Sequence, residues 1–463
     1  MPKLTSRAAC RRRGALVRNG VVSTLLFAAQ PAAGHLNPML SIARRLRENG
    51  HRVVFAVWGP RATRRLVQER EPDVRVLRPA LGSLSLGFVR FTSGSVEAWL
   101  AVRSFFAGLV HYTRAMEKLA GEIRPDAIVG DFAFPAAGLA AELRGLPHAV
   151  VWSAGLLFSG EDLTEATGGR PASSRAVRAE AATNRFAWLA HRGIERAMRR
   201  TRGRLGLPPS EGSLVDWFTS PWLTMMTTAE AIEAPGSEHS YSRSTFFIGP
   251  CFSDRANPAG ELPFERLGPD LPVVYASLGT AFDGRIALLR RIVSAFDRGD
   301  CQLIVSAGAA YDRLRSGPLG AHVTLCERVP QVELLPHVDA VISHGGNNTV
   351  NETLAAGKPL LVLPIGAEQA HNARRVVELG AGLGTAIQGT RSREIHGSVR
   401  RLLDEPSFRE RALECARALA ETDGPGSAVR LIERLIETRQ PVLRAPGQPL
   451  TLGRDSRPPW QNA

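Results

Sequence analysis

Short, wholly apolar runs recur along this chain, and each ends in a turn marked by glycine, proline or a polar residue before a segment of helical period. A strand reads as a continuous apolar run when helices cover both faces of its sheet, because no face alternates with solvent. The first half offers Val21 to Ala28, Arg52 to Val57, Ala127 to Val129, Ala149 to Trp152, Leu223 to Thr227 and Thr245 to Ile248 as such strands. Between them fall predicted helices at Pro38 to Asn49, Val96 to Ile123 and Pro135 to Arg144. A second series follows, with strands at Val273 to Ser277, Leu303 to Ser306, Val323 to Leu325, Ala340 to Ser343 and Leu360 to Leu363. Alternation of this kind predicts an α/β chain with two doubly wound, Rossmann-like domains facing across a cleft.

The 463 residues are too many for one ordinary core. The expected boundaries are a disordered basic tail over 1–19, a first domain over 20–250, a linker over 251–272 rich in Pro, Gly and Asp, a second domain over 273–439, and a disordered tail over 440–463. Arg11-Arg12-Arg13 followed by an apolar run has the order of a signal peptide. The strand-then-helix pattern that continues past Ala33 favours a first buried strand instead. No run reaches the roughly 20 apolar residues of a spanning helix. Five scattered cysteines without a C-x-x-C pair predict free thiols and a cytoplasmic location. The net charge of +14 comes from dispersed arginines, so no nucleic-acid partner is expected, nor is membrane contact predicted. A monomer or homodimer is expected.

The second series carries the densest chemistry. Ala340 to Ser343 is a buried strand, His344-Gly345-Gly346 the turn at its carboxyl end, and Asn347 the start of the next helix. Glycine lets a backbone approach a ligand closely, and the free N–H groups of a helix N-terminus suit a diphosphate. In open α/β sheets ligands bind beyond the carboxyl ends of the strands. His344 is placed to donate to a phosphate, Glu352 to accept from ribose hydroxyls, and Thr280, in the turn after another strand, to add a phosphate contact. Glu368 and Gln369 open a further helix with a carboxylate and an amide suited to sugar hydroxyls. Arg328-Val329-Pro330-Gln331 precedes this set.

In register, the Pro-Gln pair, His344-x-Gly346-x-Asn348, Glu352 eight residues after the histidine, and Glu368-Gln369 resemble the donor signature of family 1 glycosyltransferases with the GT-B fold. The resemblance spans about 21–440. It implies that Gln331 binds the base through its backbone, that His344, Asn348 and Thr349 bind phosphates, that Glu352 binds ribose, and that Glu368 and Gln369 bind the sugar. Two positions depart from the plant pattern. Arg328 stands where a tryptophan stacks on uracil, which leaves UDP and dTDP both open, and Asn347 replaces a second tryptophan.

His35 lies in the loop after the first strand, and Asp131 ends the fourth. In a 3-2-1-4-5 sheet these strands are neighbours at the switch point, so their loops share one crevice. A neutral histidine can take a proton from a hydroxyl, with an aspartate behind it to fix the tautomer and stabilise the imidazolium. The resemblance agrees, the family's base being a histidine in this loop with an aspartate partner. The expected reaction is one inverting displacement from a UDP- or dTDP-linked hexose or deoxyhexose to the hydroxyl of a hydrophobic small-molecule acceptor. No Asp-x-Asp clamp occurs in the chain, so neither metal nor cofactor is expected. Phe88, Phe91, Trp99, Phe105 and Phe106 within Leu81 to Leu109, with the segment Leu156 to Phe186, are the expected acceptor walls. Three other readings stand beside this one: a nucleotide-sugar epimerase, a non-catalytic nucleotide-sugar binder, and a membrane-surface transferase with a lipid acceptor.

Overall fold

The computed structural model describes residues 22–59, 61–80, 108–154, 195–210, 215–233, 241–252, 268, 270–279, 286–317, 319–365, 369–387 and 390–455. Two all-parallel sheets account for the strands among them. The first runs in the order β3-β2-β1-β4-β5-β6-β7, from β1 (Thr24–Ala28), β2 (Arg52–Val57), β3 (Val74–Val76), β4 (Ala127–Asp131), β5 (His148–Trp152), β6 (Leu223–Met226) and β7 (Thr245–Phe247). The second runs β10-β9-β8-β11-β12-β13, from β8 (Val273–Ser277), β9 (Gln302–Ser306), β10 (Val323–Cys326), β11 (Ala340–Ser343), β12 (Leu360–Val362) and β13 (Gly382–Gly384).

The period of two decides what each strand residue touches. Leu25 and Phe27 point into a core completed by α1 (Ala33–Glu48), while Leu26 and Ala28 point into one completed by α2 (Leu109–Ile123) and α3 (Ala136–Arg144). All four side chains are fully buried, which explains why β1 shows no polar alternation. In the second sheet α4 (Asn347–Ala355) follows β11, and α5 (Gln369–Glu378) precedes β13. The last helix, α6 (Gly424–Thr438), falls inside the expected second domain but buries Val429, Ile432 and Leu435 in the first-domain core. Ala229 and Ile232 do the reverse, packing into the second-domain core. The chain crosses between domains near Gly249 and near Thr422. Gly249 has φ +89°, and a Cβ there would lie 2.1 Å from Thr422 Oγ1, so both the torsion and the close approach call for glycine.

Two expectations need correction. Pro38 is not the start of α1, which begins at Ala33 with Pro38 inside it, so His35 stands in the first helical turn and not in a preceding loop. Residues 440–455 are ordered against the first domain. Val442, Leu450 and Leu452 are buried. Phe247 N donates to Leu450 O at 2.8 Å, and Leu452 N donates to Phe247 O at 2.8 Å. The segment covers an otherwise open edge at β7. The expected tail over 1–19, residues 20 and 21 of the expected first domain, and 456–463 of the second tail lie outside the described residues. Among the described residues no helix is long and apolar enough to cross a membrane.

Candidate active site

The sheet places the first half of the site. β1 pairs with β4 through Ala28 and Gly130, so the loop after one lies beside the end of the other. His35 Nδ1 comes within 3.1 Å of Asp131 Oδ1 and 3.0 Å of Oδ2, across 96 residues of sequence. The Asp131 side chain is 1% exposed and that of His35 is 22%. The backbone N–H of Gln30 donates to Asp131 Oδ2 at 3.2 Å, fixing the carboxylate from the other side. A carboxylate on Nδ1 selects the tautomer with its proton there and its basic lone pair on Nε2. The Phe132 ring lies 5.3 Å from the imidazole and stacks on Trp152 at 4.7 Å, forming an apolar wall beside the pair.

In the second domain β8 and β11 are neighbours, so Leu278-Gly279 and His344-Gly345-Gly346 meet at that sheet's carboxyl edge. Gly346 caps α4 without any side-chain hydrogen bond, leaving the first helical N–H groups for a ligand. Gly345 takes φ +86°, and a Cβ there would sit 2.6 Å from Val362. His344 is wedged between two glycines. A Cβ on Gly279 would come within 2.5 Å of its ring, and one on Gly346 within 2.6 Å. Burial pushes the His344 pKa down to about 4, against an opposing hydrogen bond with the Ser277 backbone. Burial therefore favours the neutral ring near pH 7.

Glu352 is buried one and a half turns into α4 and accepts from the Gln331 side-chain amide, whose oxygen accepts from Tyr275 OH at 3.2 Å. Gln331 and Glu352 are thus brought together. Val329 is buried beside them, while Arg328 is exposed and forms no ion pair among the described residues. Thr349 is half-buried, and its carbonyl accepts from Thr353 Oγ1. Gln369 is buried, and its side-chain oxygen accepts the N–H of Ile365 at 2.8 Å. Thr280 and Glu368 lie outside the described residues, as do the aromatics Phe88, Phe91, Trp99, Phe105 and Phe106 and the segment Leu156 to Phe186.

The two halves meet through α4. Asn348 Nδ2 donates to Gly34 O at 2.9 Å, and Asn347 Nδ2 donates to Ser153 O at 3.3 Å. Asn351 Nδ2 donates to Asn347 Oδ1 at 3.1 Å, while Thr228 Oγ1 donates to Asn351 Oδ1 at 2.9 Å. Lower down, His371 on α5 pairs with the buried Glu233 at 3.0 Å, and Arg375 donates to Ile232 O. Ser153, Thr228, Asn351 and Gln30 had not been singled out from sequence. Only Asn351 carries a sequence signal, as one of three asparagines within five residues of a helix, where asparagine is a poor former.

Paired parallel-sheet domains that turn their carboxyl edges toward each other in this way have the architecture of a GT-B glycosyltransferase. Known proteins agree. The chain is 30% identical over 434 residues to 4'-demethylrebeccamycin synthase of Lentzea aerocolonigenes, an alignment covering 89% of this chain and 99% of that one. Demethyllactenocin mycarosyltransferase of Streptomyces fradiae is 26% identical over 89% of this chain and 86% of its own. Residues 290–435 match the family described as Erythromycin biosynthesis protein CIII-like, C-terminal domain. Among solved structures, the glycosyltransferase of kitacinnamycin superposes with TM-score 0.71 at 23% identity, over 89% of this chain and 98% of that one. A calicheamicin glycosyltransferase gives 0.69 at 22%, over 90% and 98%. The chain belongs to the family 1 glycosyltransferases and is a glycosyltransferase enzyme.

Proposed function

We propose that the enzyme transfers a hexose or deoxyhexose from UDP or dTDP to a hydroxyl of a hydrophobic natural product, with inversion and without a metal. One observation carries this reading: the buried Asp131 holds the Nδ1 side of His35, on the domain that faces the N-terminus of α4. His35 Nε2 takes the acceptor proton, the oxygen attacks the anomeric carbon, and the nucleoside diphosphate leaves toward the helix N-terminus, whose dipole receives its charge. A single displacement inverts the anomeric centre. Glu352, held by Gln331, is placed for the ribose hydroxyls. The natural-product acceptor rests on the relatives, 4'-demethylrebeccamycin synthase and demethyllactenocin mycarosyltransferase. The four described cysteines are free, which fits a reducing cytoplasm.

The test is His35→Ala, assayed for transfer from UDP- and dTDP-glucose to a panel of polyketide and aromatic acceptors, with nucleotide binding followed alongside. Transfer falls about 10³-fold, within the range for loss of a general base, while binding of the diphosphate is kept. A variant retaining transfer within a few fold of wild type would refute the assignment of the base. Activity unchanged by EDTA is expected, and activity lost with EDTA and restored by Mg²⁺ would refute metal independence.

A further inference from the structure

Helix α1 carries proline at its sixth residue, Pro38. In a regular helix the N–H of that position donates to the carbonyl four residues back, here Gly34. Proline has no N–H to give. The Gly34 carbonyl instead accepts from Asn348 Nδ2, 314 residues away in the other domain, at 2.9 Å. Asn348 is the second residue of α4, the helix whose first N–H groups no side chain caps and where the proposed function seats the diphosphate. Gly34 directly precedes His35. One hydrogen bond therefore joins the turn that holds the base to the turn that holds the donor.

The surroundings make this bond a directed one. Beside it runs the buried chain from Thr228 through Asn351 and Asn347 to the Ser153 carbonyl, every member below 10% exposure. That chain seats α4 on the carboxyl ends of β5 and β6, so α4 is fixed relative to the first domain on that side. Asn348, half-buried, reaches from α4 to the base-bearing turn.

We infer that Asn348 and Pro38 are positioning residues: the donor diphosphate, by ordering the first turn of α4, sets the place of His35 through the Asn348–Gly34 bond. This rests on the glycosyltransferase reading above but departs from the phosphate-ligand role that the resemblance gives Asn348. The inferred gain is geometric, since misplacing a catalytic group by about 1 Å costs on the order of 10²-fold in rate.

The experiment measures dTDP and UDP affinity by calorimetry, together with amide hydrogen exchange of residues 29–40 with and without nucleotide. It compares wild type, Asn348→Ala, Pro38→Ala and the double variant, with melting temperatures as a folding control. In wild type, saturating nucleotide slows exchange over 29–40. Asn348→Ala keeps the dissociation constant within about threefold and loses most of that protection. In Pro38→Ala the restored N–H competes for the Gly34 carbonyl and part of the protection is lost. The double variant is no worse than Asn348→Ala, because both changes act on one bond. A loss of affinity of about tenfold or more in Asn348→Ala would make it a phosphate ligand and overturn the inference. Full protection retained in Asn348→Ala would overturn it as well. Wild-type protein that binds neither nucleotide refutes the donor assignment itself, and the relay falls with it.

Discussion

Replacing Asp131 by Asn separates the two services the carboxylate gives His35. Both carboxylate oxygens lie 3.0–3.1 Å from Nδ1, and the side chain is 1% exposed. As the imidazole gains a proton, it becomes a cation next to a buried anion. At an effective dielectric of about 20 the attraction at that distance is on the order of 5 kcal/mol, and the 22% exposure of His35 reduces it. The carboxamide keeps the shape and loses the charge. Because the Gln30 N–H already donates to Oδ2, the amide oxygen is held on that side, and the NH₂ turns toward Nδ1. That orientation selects the wrong tautomer, with the proton on Nε2. The lost charge acts on the transition state, the wrong tautomer removes the basic lone pair from the resting enzyme, and neither change touches the second domain. The expected outcome is a kcat lower by about 10²–10⁴, or 3–5 kcal/mol, with nucleotide affinity unchanged. Initial rates across pH with the best acceptor, and calorimetry with the nucleoside diphosphate, read these quantities. If Asp131→Asn keeps more than a tenth of wild-type kcat, the aspartate does not serve the base and the assignment of the dyad fails.

Three further outcomes follow from groups outside the reaction. Burial pushes the His148 pKa from 6.5 down to about 4, so the stability it contributes is present above pH 6.5 and is lost as pH falls through 4. It contributes about 3 kcal/mol at most, and His148→Leu should lessen the acid-side loss between urea melts at pH 7 and pH 4 by up to that amount. A variant as acid-sensitive as wild type contradicts this. Burial pushes Glu71 the other way, from 4.5 up to about 7 against the lowering effect of Arg47, so its contribution is present below pH 4.5 and lost as pH rises through 7. Glu71→Gln should gain about 1–2 kcal/mol on wild type between pH 5 and pH 8, discounted for screening near Arg47; no pH-dependent difference would refute the raised value. Ending the chain after Arg439 removes the buried Val442, Leu450 and Leu452 and uncovers β7. It should destabilise the first domain by about 4 kcal/mol or more, seen as an earlier denaturation transition, and a truncated protein of wild-type stability would show that the segment contributes nothing.

How much the sequence revealed depended on the range of the physics. The strands were legible because burial on both faces leaves a local apolar run, and His35 and Asp131 could be paired because sheet order alone makes β1 and β4 neighbours. Gln331, Glu352 and His344 fall within one β/α unit and its preceding turn, so their convergence also follows from local order. Side-chain partners that depend on how the domains close were not legible. Asn347 and Asn348 read as donor-site residues, yet their amides are engaged 194 and 314 residues away. The neutral state of His344 was equally hidden, since it comes from the tight fit between Gly279 and Gly346. Residues 440–455 were misjudged because Pro, Arg and Gly dominate the composition. Three spaced apolar side chains and the buried guanidinium of Arg444, donating to the Thr245 and Ser242 carbonyls, decide the packing instead.

The same helix can serve both a ligand and a domain contact because its two kinds of donor point to different places. The α4 backbone N–H groups run along the helix axis toward the glycine turn, where no side chain caps them. The side-chain amides of Asn347, Asn348 and Asn351 project sideways onto the first domain. On the proposed function, a diphosphate at this helix end would displace no interdomain bond, because those bonds use side-chain amides and not the uncapped N–H groups. A lysine or arginine in this turn would compete for the phosphates with its own charge. A neutral amide would leave them to the helix, and it ties the start of α4 to the turn that carries His35.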